Sequence, residues 1–99
     1  MTSEYTLVRK PSLKKDLKLL TRQHVDTSEI EAAIESLRFN RYPDGWGKIT
    51  NLPKGVERLR LPVGDHRIVY EVRDKEEVVI VYGVPRRNEI TYKPKSLGL

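Results

Sequence analysis

Apolar residues recur along this chain with two periods, and the periods mark its elements. Leu13, Leu17 and Leu20 fall at spacings of four and three, one helical stripe, with Pro11 and Ser12 opening the segment. Ile30, Ala33, Ile34 and Leu37 make a second stripe after "HVDTSE". There Thr27 or Ser28 caps the helix, and Glu31, three residues after Ser28, completes a capping box. Elsewhere the period drops to two. "YTLVRK" (5–10) alternates weakly as an opening strand. "VERLRLPV" and "HRIVYEV" alternate about a tight connection at Gly64-Asp65, and "VVIVYGV" (78–84) is apolar throughout. A strand without polar positions belongs at the centre of a sheet, covered on both sides.

The segments order as β-α-α-β-β-β. They predict an α+β fold: a small antiparallel β-sheet of three or four strands, with two N-terminal helices packed on one face and the other face left free. The stretch 40–55, rich in Pro, Gly, Asn and Asp, reads as a long connection with room for a short edge strand around Ile49. The 99 residues suffice for one domain with one modest core, here residues 1–99 with an ordered core over about 4–93 and a fraying basic tail at 94–99.

Charge sharpens this picture. Against 14 Asp+Glu stand 19 Lys+Arg, a net charge of +5, which points to a polyanionic partner. The excess is uneven. Residues 8–22 hold Arg9, Lys10, Lys14, Lys15, Lys18 and Arg22 against Asp16 alone, whereas 26–35 holds four acids and no base. The absence of cysteine excludes disulfides, thiolate metal sites and a cysteine nucleophile, and fits a reducing cytoplasm. No stretch has the length or apolarity of a membrane span or a signal peptide, so a soluble cytoplasmic protein is expected.

Strand parity then locates the arginines. Leu59 and Leu61 face one way, Arg58 and Arg60 the other; Ile68, Tyr70 and Val72 oppose Arg67, Val69 and Glu71. With both apolar sets turned to the helices, Arg58, Arg60 and Arg67 share the open face, near Arg86 and Arg87 at the end of the last strand. One such arginine is ordinary surface charge. Three on adjacent strands, with Glu71 as the only acid among them, make an anion-binding face. The other candidates are weaker. Trp46 reads as a plug at the edge of the core, His66 as a packed strand-start histidine, and His24 as a solvated turn residue. The "DKEE" run (74–77) reads as a hairpin tip without supporting metal ligands, and no zinc site or phosphate-binding glycine loop is present.

Lys14-Lys15-Asp16-Leu17, the strand-turn-strand "RLRLPVGDHRIVYEV", the run Val84-Pro85-Arg86-Arg87 and the trailing Tyr92 together resemble the RelE/ParE superfamily of small toxins from toxin–antitoxin modules. The resemblance spans residues 5–93 and implies the fold already drawn. It implies further a ribosome-dependent mRNA endonuclease that cuts in the ribosomal A site without metal or cofactor. The ribose 2′-OH attacks the adjacent phosphate to give a 2′,3′-cyclic phosphate and a free 5′-OH.

The family pattern assigns Arg58 and Arg60 to flank the phosphate, Arg67 to clamp its oxygens, Arg87 to serve the leaving group and Tyr92 to orient the nucleotide. Tyr92 stands one residue nearer to Arg87 than in RelE. Lys10, Lys14, Lys15, Lys18 and Arg86 would contact RNA, including ribosomal RNA. Where RelE has two lysines, this chain has Arg58 and Arg60; arginine stays protonated and is a poor general base, which leaves Glu57 and His66 as nearby candidates. The partners implied are a RelB-like antitoxin, acidic and partly disordered, in a heteromeric complex, together with the ribosome and mRNA. The alternative within the superfamily is a ParE-like inhibitor of DNA gyrase without nuclease activity.

Overall fold

The computed structural model describes residues 3–86 and 97–99. Strand β1 (Thr6–Arg9) leads into helix α1 (Pro11–Arg22) and helix α2 (Ser28–Ser36). Strands β2 (Gly47–Lys48), β3 (Leu59–Val63), β4 (His66–Arg73) and β5 (Val78–Gly83) follow. Both helices begin where the sequence places them. The α2 start is held differently from a capping box: the Thr27 side chain makes no cap bond, and the Asp26 carboxylate instead accepts the Ser28 N–H at 2.9 Å. None of the described helices is long and apolar enough to cross a membrane.

The sheet has five strands in the order β1-β5-β4-β3-β2. Its apolar strand β5 lies between β1 and β4, which supply pairing on both sides. The pairs β2–β3, β3–β4 and β4–β5 are antiparallel, whereas β1 runs parallel to β5, with Thr6 opposite Val78 and Arg9 opposite Val81. The sheet is therefore mixed rather than antiparallel, and one strand larger than expected. Side-chain alternation is the same in both pairings and cannot reveal strand direction. The helical crossover between β1 and the later strands is long enough to permit a parallel pair.

The helix side holds the main core. Leu13 and Leu20 of α1, Ile30 and Ile34 of α2, and Leu37 meet Leu61, Ile68, Tyr70, Val79 and Val81 of the sheet. Each such aliphatic side chain removed from water contributes roughly 1.5–3 kcal/mol. Side-chain bonds register α1 on the end of β5. The Ser12 hydroxyl donates to the Tyr82 carbonyl, and the Asp16 carboxylate accepts the Val84 N–H at 2.9 Å. Arg9 joins β1 to α2 through Glu31 and Glu35, at 3.0 and 2.8 Å, and Glu35 also takes Arg38. The acidic run of α2 is thus largely spent within the fold.

The opposite face is not free. Val69, Ile80, Tyr82 and Leu97 are buried in a second, smaller cluster, joined by Ile49, Leu52 and Val78. The cause lies in β5. Because it has no polar position, Val78, Ile80 and Tyr82 need cover on the side away from the helices, and the connection around 49–52 and the C-terminal Leu97 provide it. Leu97 is 6% exposed, so the expected fraying of 94–99 does not extend to this residue.

Candidate functional site

Arg58, just before β3, and the arginines of β3 and β4 lie on the face away from the helices, but their surroundings differ sharply. Arg58 is 9% exposed. Its Nε donates to the Leu97 carbonyl at 2.7 Å, and its Nη1 donates to the Glu57 carbonyl at 2.8 Å and to Glu71 Oε1 at 3.1 Å. The guanidinium also lies 3.9 Å from the centroid of the Tyr82 ring. Tyr82 donates its hydroxyl to the same Glu71 oxygen at 2.6 Å, and Arg73 Nε holds the other at 2.9 Å.

This is a closed ionic unit. Burial pushes the Glu71 carboxyl up, but the Tyr82 hydroxyl, Arg73 and Arg58 together hold it below the ordinary value. Burial, reinforced by the bond to Glu71, pushes the Tyr82 phenol up to about 12. Arg58 therefore stands on the expected face, largely buried and already paired with Glu71. An open cleft of about 520 Å³ beside it is lined by Gly55, Glu57, Arg58, Glu71 and Arg73 among others.

Arg60, two residues further on and within β3, is half-buried and has no hydrogen bond or ion pair among the described residues. Its side chain crosses the edge strand β2: a Cβ added at Gly47 would stand 2.8 Å from Arg60 Nη2. Gly47 is directly opposite Arg60 in the ladder, so the absent side chain leaves the space the guanidinium occupies. Arg67 lies opposite Pro62 while Arg60 lies opposite Val69, which makes the two arginines diagonal neighbours on one face, with Cα atoms roughly 7–8 Å apart. The Arg67 backbone N–H donates to the Pro85 carbonyl at 2.9 Å, and an isolated bridge pairs His66 with Arg86. The end of β5 is thereby bound to the start of β4, and exposed Arg86 is brought beside Arg67 in the sheet. Arg87 and Tyr92 lie outside the described residues.

Lys10, which precedes α1, and Lys14, Lys15 and Lys18 on it are all exposed, and none forms an ion pair with a described residue. Asp16, the only acid of that run, is directed to the backbone of Val84. His66 is buried, and its Nε2 has no hydrogen-bond partner among the described residues. Glu57 is exposed beside Arg58. His24 is an exposed turn residue with φ 60°.

Trp46 departs from the expected core plug. It is 38% exposed and packs edge-on against Tyr42, with ring centroids 5.0 Å apart, at an open cleft of about 440 Å³ that also includes Lys48, Glu57 and Asp74. The hairpin tip 74–77 uses Asp74 to accept the Tyr5 hydroxyl. No group of three His, Cys, Asp or Glu residues able to hold a metal occurs among the described residues. The sequence reading missed the Glu71–Tyr82–Leu97 unit around Arg58. Its one visible trace was Glu71, the lone acid in the arginine set.

The model of the ParE toxin of type II toxin–antitoxin systems, parDE, matches residues 7–91. No curated protein matches the chain. Among solved structures, the fold is similar to that in the archaeal RelE–RelB complex from Pyrococcus horikoshii OT3, at 21% identity and TM-score 0.68, covering 90% of this chain and 99% of that one. It is similar to that in the E. coli DinJ–YafQ toxin–antitoxin complex, at 15% identity and TM-score 0.68, covering 90% and 99%. A metal-bound toxin from Helicobacter pylori is likewise similar, at 16% identity and TM-score 0.67, covering 88% and 99%. At these identities the likeness is one of fold.

Proposed function

The chain belongs to the ParE toxin family of type II toxin–antitoxin systems, within the RelE/ParE superfamily, and we propose that it acts as a ribosome-dependent mRNA endonuclease. The observation that carries this reading is the diagonal pair Arg60 and Arg67 on one sheet face, with Arg60 not engaged by any described acid. Two guanidiniums at that spacing suit a phosphodiester, whose non-bridging oxygens gain charge as a fifth oxygen adds.

In the reaction the 2′ oxygen bonds to phosphorus and the bond from phosphorus to the 5′ oxygen breaks. The 2′-OH loses a proton and the departing 5′ oxygen gains one. Arg60 and Arg67 stay protonated and serve by charge and orientation, not as bases. Arg87 and Tyr92 are assigned to the leaving group and the nucleotide on the family pattern alone. The exposed lysines of α1, with Arg86, would hold ribosomal or messenger RNA phosphates and make binding salt-sensitive. An antitoxin partner is supported by the RelE–RelB and DinJ–YafQ complexes of similar fold, and an acidic one would neutralise the same charge.

A second reading is favoured by the family match itself: a ParE-like toxin that inhibits DNA gyrase through protein contacts. Primer extension on a reporter mRNA in a purified translation system separates the two. New 3′ ends at the A-site codon, present only with ribosomes and absent for Arg67→Ala and Arg87→Ala, are the expected result. Intact mRNA from a protein that still arrests growth would overturn the nuclease and direct the work to gyrase.

A further inference from the structure

Two exposed aromatic rings, Tyr42 and Trp46, stand together in the lining of the cleft of about 440 Å³. The turn that carries them is held firmly. Arg41 Nη1 donates to the Ser3 and Arg38 carbonyls at 2.6 and 2.7 Å, and its guanidinium lies 3.8 Å from the centroid of the Tyr5 ring. The Arg41 carbonyl accepts the Tyr70 hydroxyl at 2.7 Å. Gly45, at φ +92°, lets the chain reverse so that the Trp46 N–H reaches the Pro43 carbonyl at 3.1 Å. The two rings are inclined at 61° and so form two walls of a corner, to which Leu59 and Val72 add aliphatic surface. Exposed apolar surface of this kind, rimmed by polar residues, is what binding sites present.

Charge selects the occupant. In a chain with a net charge of +5, three carboxylates line this cleft, Glu57, Glu71 and Asp74, against one ammonium, Lys48. Glu71 is committed to Arg58, Arg73 and the Tyr82 hydroxyl, and Asp74 accepts the Tyr5 hydroxyl. The exposed Glu57 carboxylate has no ion pair or hydrogen bond among the described residues. The negative field reaches the rings: burial first, and then the Asp74 charge, pushes the Tyr42 phenol above its ordinary value. A negative, π-rich corner repels a phosphate and attracts a cation. The fold uses the same pairing internally, with Arg41 on Tyr5 and Arg58 on Tyr82, whereas no described cation lies over Tyr42 or Trp46.

We propose that this cleft binds an arginine side chain from a partner protein, on a segment where an apolar residue adjoins that arginine. The guanidinium lies against the Tyr42 and Trp46 rings with Glu57 beside it, and the methylene stem runs along Leu59 and Val72. Arginine suits the corner better than lysine because its planar group stacks on a ring while donating at its edge. The inference is independent of the nuclease reading. Val72 stands five residues along β4 from Arg67, roughly 17 Å, so the cleft is separate from the Arg60–Arg67 pair.

Trp46 is the only tryptophan of the chain, and its fluorescence therefore reads this cleft directly. The probes are the capped dipeptide acetyl-Leu-Arg-amide, its citrulline counterpart, which keeps the shape without the charge, and a uridine hexanucleotide. The arginine peptide is expected to shift the emission to saturation. The citrulline peptide should bind about ten-fold more weakly, having lost the ring contact and the carboxylate together. Glu57→Gln should weaken the arginine peptide about three-fold and Lys48→Ala tighten it by a similar factor, since one removes an attracting charge and the other a repelling one. Tyr42→Leu keeps apolar bulk, loses a ring wall and should weaken binding several-fold.

The gain expected of Lys48→Ala cannot come from a variant that fails to fold. The proposal is overturned if the arginine peptide leaves the emission unchanged, or if the citrulline peptide binds as tightly. A Lys48→Ala protein that binds less tightly than wild type overturns it as well. So does saturation by the uridine hexanucleotide and not by the peptide, which would make the two rings a platform for RNA bases.

Discussion

Arg58, just before β3, and Arg60, within it, stand two residues apart on one face, yet they belong to different kinds of surface. Arg58 is enclosed by Glu71, the Tyr82 ring and the Leu97 carbonyl, so its charge is used where it was placed. Arg60 lies across Gly47 with no acid of the described chain against it. The difference comes from their neighbours and not from the strand. Glu71 offers Arg58 a carboxylate at 3.1 Å, and Val69 opposite Arg60 offers none. A guanidinium without an internal anion retains its full electrostatic reach for a bound one.

The largest expected effects cross between the two residues. Arg60→Ala should lower ribosome-dependent cleavage about 100-fold, the usual cost of losing one charge-stabilising donor. Its unfolding free energy should stay within about 0.5 kcal/mol of wild type, as for surface changes. Arg58→Ala should show the reverse weighting: a loss of about 2 kcal/mol in urea unfolding, because half-buried Glu71 loses its buried partner and keeps only Arg73 and the Tyr82 hydroxyl. Equal stability losses at both positions would erase the distinction.

A smaller effect separates the two ends by pH. Glu71 is held below its ordinary value of 4.5 in the folded chain, against the opposing push of burial, by Tyr82, Arg73 and Arg58. A carboxyl with a depressed folded pKa contributes stability that is present above the unfolded value and lost as pH falls through the folded one. The wild-type urea midpoint should therefore fall on going below about pH 4.5. Glu71→Gln should be less stable at neutral pH and fall less steeply in that window. Glu35, also held low by Arg9 and Arg38, titrates in both proteins and cancels in the comparison. Identical slopes would mean that the Arg58 unit is not ionically held.

These contrasts bear on what a sequence can reveal. The helix stripes were legible, since Leu13, Leu20, Ile30, Ile34 and Leu37 all enter the core at the spacings that predict it. So was the facing of the strand arginines, because alternation is a local property. Three things were not legible. The direction of β1 depends on a pairing 72 residues away in the chain, at Leu7 opposite Val79, and leaves no mark on alternation. The capture of Arg58 needs Leu97, which is distant in sequence and read on its own as tail. The cover over the second face was implied by apolar β5, but its source in Ile49, Leu52 and Leu97 depends on loop paths that no periodicity records.

The finest division between the two arginines is at Gly47. A methyl group there would stand 2.8 Å from Arg60 Nη2, 2.9 Å from Cζ and 3.2 Å from Nη1, so the guanidinium has to move while the backbone does not. Such a shift is cheap for folding, since the obstructing atoms are the far end of a flexible side chain, and Arg58 is untouched. Gly47→Ala should accordingly keep the melting temperature within a degree or two of wild type, as expected for a change near zero in free energy. Cleavage should fall several-fold, because the rate depends on where a charge-stabilising donor lies within tenths of an ångström. Combined with Arg60→Ala, it should have no additional effect on cleavage, the non-additivity expected of groups in contact. A Gly47→Ala protein that is as stable and as active as wild type would show that the Arg60 guanidinium works from some other position than the one it holds over β2.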